Sequence, residues 1–301
     1  MPRTHRVTSL LRVAPIALTV LVAACGGAAA SPSPSAPPVA SPAPIALGYW
    51  LRASITQALP PVNVFAMQPY VVITGDGLWV TQGAVPAIFP GPLMPNPRAR
   101  RLSEAGRTAI LAAAKDLGLL DGTTDFHSGP PLAGGLSGRI ELTVDGRLVT
   151  LTGDPDAAIT CVTTPCDPPP GSAAAFGELW RRLGDLASWI PGELGPEAAY
   201  EAPALAILVG PAPKQDPNLP QAPMDWPLSQ PLGLFGGPVG DGSYRCGTVT
   251  GADAAALLPV LLKANSLTQW VLDPSTSATF GLTVRPMAPG EDACREVFGP
   301  G

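Results

Sequence analysis

Histidine is nearly absent: the 301-residue chain holds two, His5 and His127. A zinc site built on imidazoles, or a metalloprotease helix carrying two histidines one turn apart, has nothing to be made from. Charge is scarce too, with Asp, Glu, Lys and Arg together at 14% and a net charge of −5. An acidic chain without basic clusters argues against nucleic acid as a partner and against electrostatic docking on a membrane. Long apolar runs are missing. The run near the N-terminus, Val13 to Leu21, contains Pro15 and falls short of the roughly 20 residues that cross a bilayer. No Walker loop, dinucleotide-binding glycine fingerprint or GxSxG elbow occurs. The nearest approach to the elbow is GGLSGR around Ser137, one residue out of register.

What is present begins with an export signal over residues 1–24. Arg3, Arg6 and Arg12 precede the apolar stretch, and Ala23 and Ala24 precede Cys25. Residues Val22 to Cys25 resemble the lipobox of bacterial lipoproteins. That resemblance implies a diacylglyceryl thioether on Cys25 and stable anchoring by two or more acyl chains. The alternative is an ordinary cleaved signal with an incidental cysteine. Loss of Arg3, Arg6 and Arg12 takes 18 basic residues to 15 against 23 acidic ones, a net −8 for the mature chain.

Residues 25–47 read as a linker. From Gly26 to Pro44 the chain carries no charge and no bulky hydrophobe except Val39, so it cannot offset its own ordering entropy. Its prolines bias it to polyproline II, a semi-rigid spacer of about 50–60 Å. The rest divides into a first α+β sub-domain, 48–198, and a second, 199–301. With 39 prolines, much of the non-regular chain is pinned loop.

Once Cys25 is lipidated, Cys161, Cys166, Cys246 and Cys294 remain. An even number in an exported protein favours two disulfides, with three possible connectivities. Cys161–Cys166 closes the small loop CVTTPC, and Cys246–Cys294 ties the strand before the last expected helix to the C-terminal tail. Neither spacing is that of a zinc site or a redox-active pair.

Turn chemistry and periodicity place the elements. Asp-Gly pairs inside Tyr70–Thr81 and Arg139–Thr152 mark two hairpins. Between them Ser103 caps a helix whose face is Ile110, Leu111, Ala114 and Leu117, with Gly118 as its stop. A further helix spans Ser172 to Ile190, burying Phe176, Leu179, Trp180, Leu183 and Leu186 before Pro191-Gly192 ends it. The second half offers a strand at Ala204–Gly210, a turn at GDGSYRCGTV and a helix opened by Thr250 and Asp253. That helix has Leu257, Leu258, Leu261 and Leu262 on its face and Asn265 near its end, and a last strand follows at Ala278–Pro286. Ala204–Gly210 parallels the strand near Tyr49 to Ile55. The fold class is α+β, antiparallel sheets with about three helices packed on them. The similar order of the halves reads either as a tandem repeat of a strand-loop-strand-helix-strand unit or as the general likeness of such domains.

The motifs Cys246-Gly247, Thr250-Gly251-Ala252-Asp253, Ala264-Asn265, Trp270, Arg285-Pro286 and Cys294 resemble those of uncharacterised surface lipoproteins of actinobacteria and similar bacteria, as does GDGLWV followed by LSEAGRTAILAAAKDLGLL. The resemblance covers about half of the mature chain and brings no activity with it. It implies a surface lipoprotein in which Cys246 and Cys294 are a recurrent pair.

Little chemistry is visible. His127 beside Asp125 and Ser128 is the best constellation available, but adjacent side chains on a loop rarely meet, so a solvated turn histidine is expected. Glu141, Asp145, Asp154 and Asp156 are the densest acids and read as a solvated rim rather than a glycosidase pair. Two apolar proline-rich loops stand out: Val85–Pro97 with Ile88, Phe89, Leu93 and Met94, and Met224–Phe235 with Trp226, Leu228, Leu234 and Phe235. They either present a rigid binding surface or fold back over the sheet. The expectation is a non-catalytic binding or interaction module on the outer side of a membrane, facing the periplasm or cell exterior, with no cofactor. Its partners would be the membrane, through Cys25, and an unknown envelope protein or ligand. The alternative is an extracytoplasmic hydrolase, for which a concave pocket with convergent acids or His127 would speak.

Overall fold

The computed structural model describes residues 48–56, 59–129, 135–157, 167–271 and 278–299. Cys25, the linker and the Cys161–Cys166 pair lie outside them.

Among the described residues, every strand before Ala204 joins one sheet. These are β1 (Tyr49–Thr56), β2 (Val71–Thr74), β3 (Leu78–Gln82), β4 (Pro97–Arg101), β5 (Asp125–Phe126), β6 (Ser137–Val144), β7 (Arg147–Gly153) and β8 (Ala198–Ala199). The eight lie in the order β5-β7-β6-β1-β2-β3-β4-β8. The second sheet has six strands: β9 (Ala204–Pro211), β10 (Met224–Asp225), β11 (Gly237–Val239), β12 (Tyr244–Thr250), β13 (Trp270–Val271) and β14 (Thr279–Pro286). Their order is β10-β13-β14-β9-β12-β11. Among the described residues six α-helices accompany them: α1 (Pro61–Ala66), α2 (Glu104–Asp116), α3 (Ala173–Gly184), α4 (Leu186–Trp189), α5 (Gly251–Leu261) and α6 (Ala293–Phe298). The class is α+β, and each sheet is antiparallel except for one two-residue edge strand, β5 on β7 and β10 on β13.

The halves share a centre but not a strand order. β1 lies between antiparallel β2 and β6, and β9 lies between antiparallel β12 and β14. Around the two Gly-Asp-Gly turns the hairpins run in opposite order. The strand before Gly75 neighbours β1, whereas the strand after Gly242 neighbours β9.

Alternation along the strands decides which face is covered by what. Leu51 and Ala53 of β1, Ile73 of β2, Ile140 and Leu142 of β6 and Leu151 of β7 meet α2 and α3 through Ile110, Ala114, Phe176, Leu179 and Leu183. In β9 every residue from Ala204 to Val209 is buried, because both faces are covered. Leu205, Ile207 and Val209 pack on Trp226, Leu257, Leu261 and Trp270, while Ala206 and Leu208 meet Phe65 of α1 and Ala293 of α6. A continuous apolar run is what a central strand covered on both faces requires. Phe65 and Met94, both from the first half, thus sit in the cores of the second sheet.

Ser103 and Ser172 cap α2 and α3, accepting from Gly106 N at 3.0 Å and Ala175 N at 3.1 Å. Gly118 ends the first turn after α2 at φ +66°. Three expectations are corrected. The helix expected from Ser172 to Ile190 is broken at Asp185, whose carboxylate starts α4 by accepting from Ser188 N at 3.2 Å. Thr250 precedes α5 without a side-chain cap, so the capping box is not formed. Leu258 and Leu262 are exposed, and only Leu257 and Leu261 reach the core. The C-terminal tail, for which no element was expected, forms α6, and Cys294 on it has its α-carbon 5.7 Å from that of Cys246 in the expected disulfide.

Candidate functional site

The short strand β5 is fixed by Phe126, which is buried against Phe176 with ring centroids 6.1 Å apart. Gly153 on neighbouring β7 permits this closeness, since a Cβ there would stand 2.8 Å from the Phe176 ring. With Phe126 turned inward, period-two alternation puts Asp125 and His127 on the opposite face of the sheet. The same rule puts Ser137 there, because Gly138 and Ile140 of β6 face the core. β7 lies between β5 and β6, and His127 reaches across its end.

The result is a relay of three side chains. His127 Nδ1 donates to Asp125 Oδ1 at 2.5 Å, and His127 Nε2 lies 2.8 Å from Ser137 Oγ, placed to accept the hydroxyl proton. The His127 N–H also donates to Asp125 Oδ1, at 3.2 Å. The hydrogen bond from the imidazole is the main cause holding the Asp125 carboxyl below the ordinary carboxylate range. Asp154, just beyond β7, accepts from Ser128 N at 2.8 Å and from Ser128 Oγ. Burial pushes the Asp154 carboxyl up, but these two hydrogen bonds outweigh it and its pKa falls below the usual value. Ser128 is therefore a loop anchor, while Ser137 partners the imidazole. The cleft at this point has a volume of about 490 Å³ and is walled by Leu136, Pro155, Asp156 and Ala157 with the polar groups above. A larger cleft of about 720 Å³ beside α2 and Pro168–Pro170 has, among the described residues, no hydroxyl or thiol beside a base.

The apolar loops part company. Met94, Trp226 and Phe235 are buried in the second core, so they form no binding surface. Trp226 stacks edge-on against Phe235 and Trp270 and satisfies its indole N–H on Gln230 O at 2.8 Å. Leu93 and Leu228 are half-buried against the same core. Ile88 and Phe89, by contrast, are 64% and 69% exposed, with Val85 and Leu234 equally open. The exposed ridge is firmly rooted: Leu93 N donates to Ala264 O at 3.1 Å and Ser266 N to Gly91 O at 2.8 Å. A groove of about 240 Å³ is lined by Val85, Pro92 and Met94 of the same loop together with Ala66, Gln68 and Gln82. Gln68 Nε2 is buried and has no hydrogen-bond partner among the described residues.

Glu141 also proves different from the expected solvated rim. It is buried and accepts from Tyr49 Oη at 3.0 Å and Arg139 Nη2 at 2.6 Å. Among the described residues no group of His, Cys, Asp and Glu is placed to hold a metal, and no helix is long and apolar enough to cross a membrane. Comparison with protein-family models, with characterised proteins and with solved structures returns no match.

Proposed function

We propose that the protein is an exported lipoprotein, anchored through Cys25, whose folded body docks an uncharged segment of another envelope protein at the Val85–Phe89 ridge. The observation that carries the docking role is the contrast within one loop: Leu93 and Met94 root it in the core while Ile88 and Phe89 stand in water. A loop held in place loses little entropy on binding. Covering side chains of this size is worth roughly 1.5–3 kcal/mol each. Neither the loop nor the groove carries a charge, which suits an uncharged segment. Export is supported by the lipobox-like run, by the resemblance to surface lipoproteins and by the Cys246–Cys294 pair, since disulfides persist in oxidising compartments.

The test is a photoreactive phenylalanine analogue at position 89 in intact cells. The reading expects one discrete protein adduct, lost when Ile88→Ser is added and absent when the analogue replaces exposed Leu219. Adducts with lipid alone, or none, would contradict it.

A further inference from the structure

We propose that Asp125, His127 and Ser137 form a nucleophilic site that hydrolyses small uncharged esters. This goes beyond the docking role and does not depend on it. The parts of an acyl-transfer site are a hydroxyl nucleophile, a base in contact with it and a group that orients the base. Here Ser137 Oγ lies 2.8 Å from His127 Nε2, and Asp125 Oδ1 lies 2.5 Å from Nδ1. A carboxylate on Nδ1 fixes the tautomer that leaves the Nε2 lone pair free. Asp125 of β5, His127 just after it and Ser137 of β6 come from two strands that are not neighbours, and they meet at a cleft.

The reaction runs in two halves. Ser137 Oγ bonds to the ester carbonyl carbon as its proton passes to His127 Nε2. The tetrahedral adduct then breaks the bond to the alcohol oxygen, which leaves with that proton and gives an acyl-Ser137 ester. Water next gives a proton to His127 Nε2 as its oxygen bonds to the acyl carbon. The Ser137–acyl bond breaks, the proton returns to Ser137 Oγ, and the acid departs. Asp125 stays ionised throughout and offsets the positive charge on the imidazolium. Substrate charge follows from the walls: Asp154 and Asp156 repel an anionic acyl group, while Leu136, Pro155 and Ala157 offer it apolar contact. The Asp125 side chain is 72% exposed, so water screens its effect on the imidazolium and turnover is slow. Acylation, rather than turnover, is the quantity to read.

The test treats the full, oxidised chain with a neutral alkyl fluorophosphonate, in which Ser137 Oγ displaces fluoride, and follows intact mass with peptide mapping. One adduct is expected, on Ser137. Ser137→Ala abolishes it, His127→Gln slows it by about 100-fold or more, and Ser266→Ala in the other half leaves it unchanged. Circular dichroism establishes that each variant is folded, and His127→Gln decides the matter if Ser137→Ala is not. No adduct on the folded wild type, an adduct elsewhere, or one that persists undiminished in both Ser137→Ala and His127→Gln overturns the proposal.

Discussion

The guanidinium of Arg285 on β14 pairs with the carboxylate of Glu291 where the two sheets meet, and both side chains are almost wholly buried. Arg285 Nη1 also donates to Phe65 O at 3.3 Å, and Glu291 Oε2 accepts from Ala288 N at 2.9 Å. Arg52 of the first sheet stands 3.6 Å from Glu291 and 2.7 Å from Glu296 of α6. Buried charge of this kind is costly to leave unpaired. Glu291→Ala is therefore expected to destabilise by about 3–5 kcal/mol, read by urea unfolding, while the double change Arg285→Met with Glu291→Leu recovers most of the loss. Equal loss in single and double variants would mean the pair is not what matters there.

The disulfide between Cys246 and Cys294 closes a separation of 48 residues. In the chain-entropy account, removing it costs roughly 3–4 kcal/mol. Thermal unfolding of the Cys246→Ala, Cys294→Ala double variant should show a markedly lower Tm, and Ser266→Ala should not. A Tm within a degree or so of wild type would contradict a native bond.

Phe65 is fully buried against the second sheet although it belongs to the first half, and Phe89 is exposed. Phe65→Ala should cost about 3–5 kcal/mol and lower the stability of both sheets together. Phe89→Ser should leave unfolding by denaturant within about 0.5 kcal/mol of wild type. Reversal of these two effects would refute the assignment of one loop to a surface and one helix to a core.

Two tyrosines report the packing between the sheets. Burial, then the nearby Glu141, pushes the Tyr49 hydroxyl from the ordinary 10.0 up to about 12, with Arg52 opposing and Glu296 adding to the rise. Burial, then Glu291, raises Tyr200 to about 12 as well, while its hydroxyl donates to Met287 O at 2.9 Å. The folded state holds these protons more tightly than the unfolded chain. Their stabilisation is complete below pH 10 and falls as pH rises toward 12. Unfolding free energy followed across that range, with tyrosinate absorbance alongside, should decline. Tyr49→Phe and Tyr200→Phe should each make the decline shallower.

Local signals read well wherever local chemistry decides. The caps Ser103 and Ser172, the stop at Gly118, and the Asp-Gly turns before Leu78 and Arg147 all act through their immediate neighbours, and these elements stand close to where their residues place them. β4 was not legible, because Arg98, Arg100 and Arg101 mask the single inward Ala99 that pairs it into the sheet. α6 was hidden by its brevity. Ser137 was the signal missed at the candidate site. Judged as an elbow serine it fails, yet it shares the outward face with Asp125 and His127. That meeting depends on β7 lying between β5 and β6, which no local pattern announces. The apolar loops misled for a related reason: Trp226 and Phe89 look alike beside prolines, and only long-range packing separates them.

Anchoring at Cys25 is the claim on which the proposed role depends, and it can be read in one measurement. Cells expressing the full chain are grown with an alkyne fatty acid, and the protein is isolated from the membrane fraction and tagged. The account predicts a tagged, membrane-associated protein whose label is lost, and which is released from the membrane, on Cys25→Ser. An untagged wild-type protein secreted freely into the medium would contradict it.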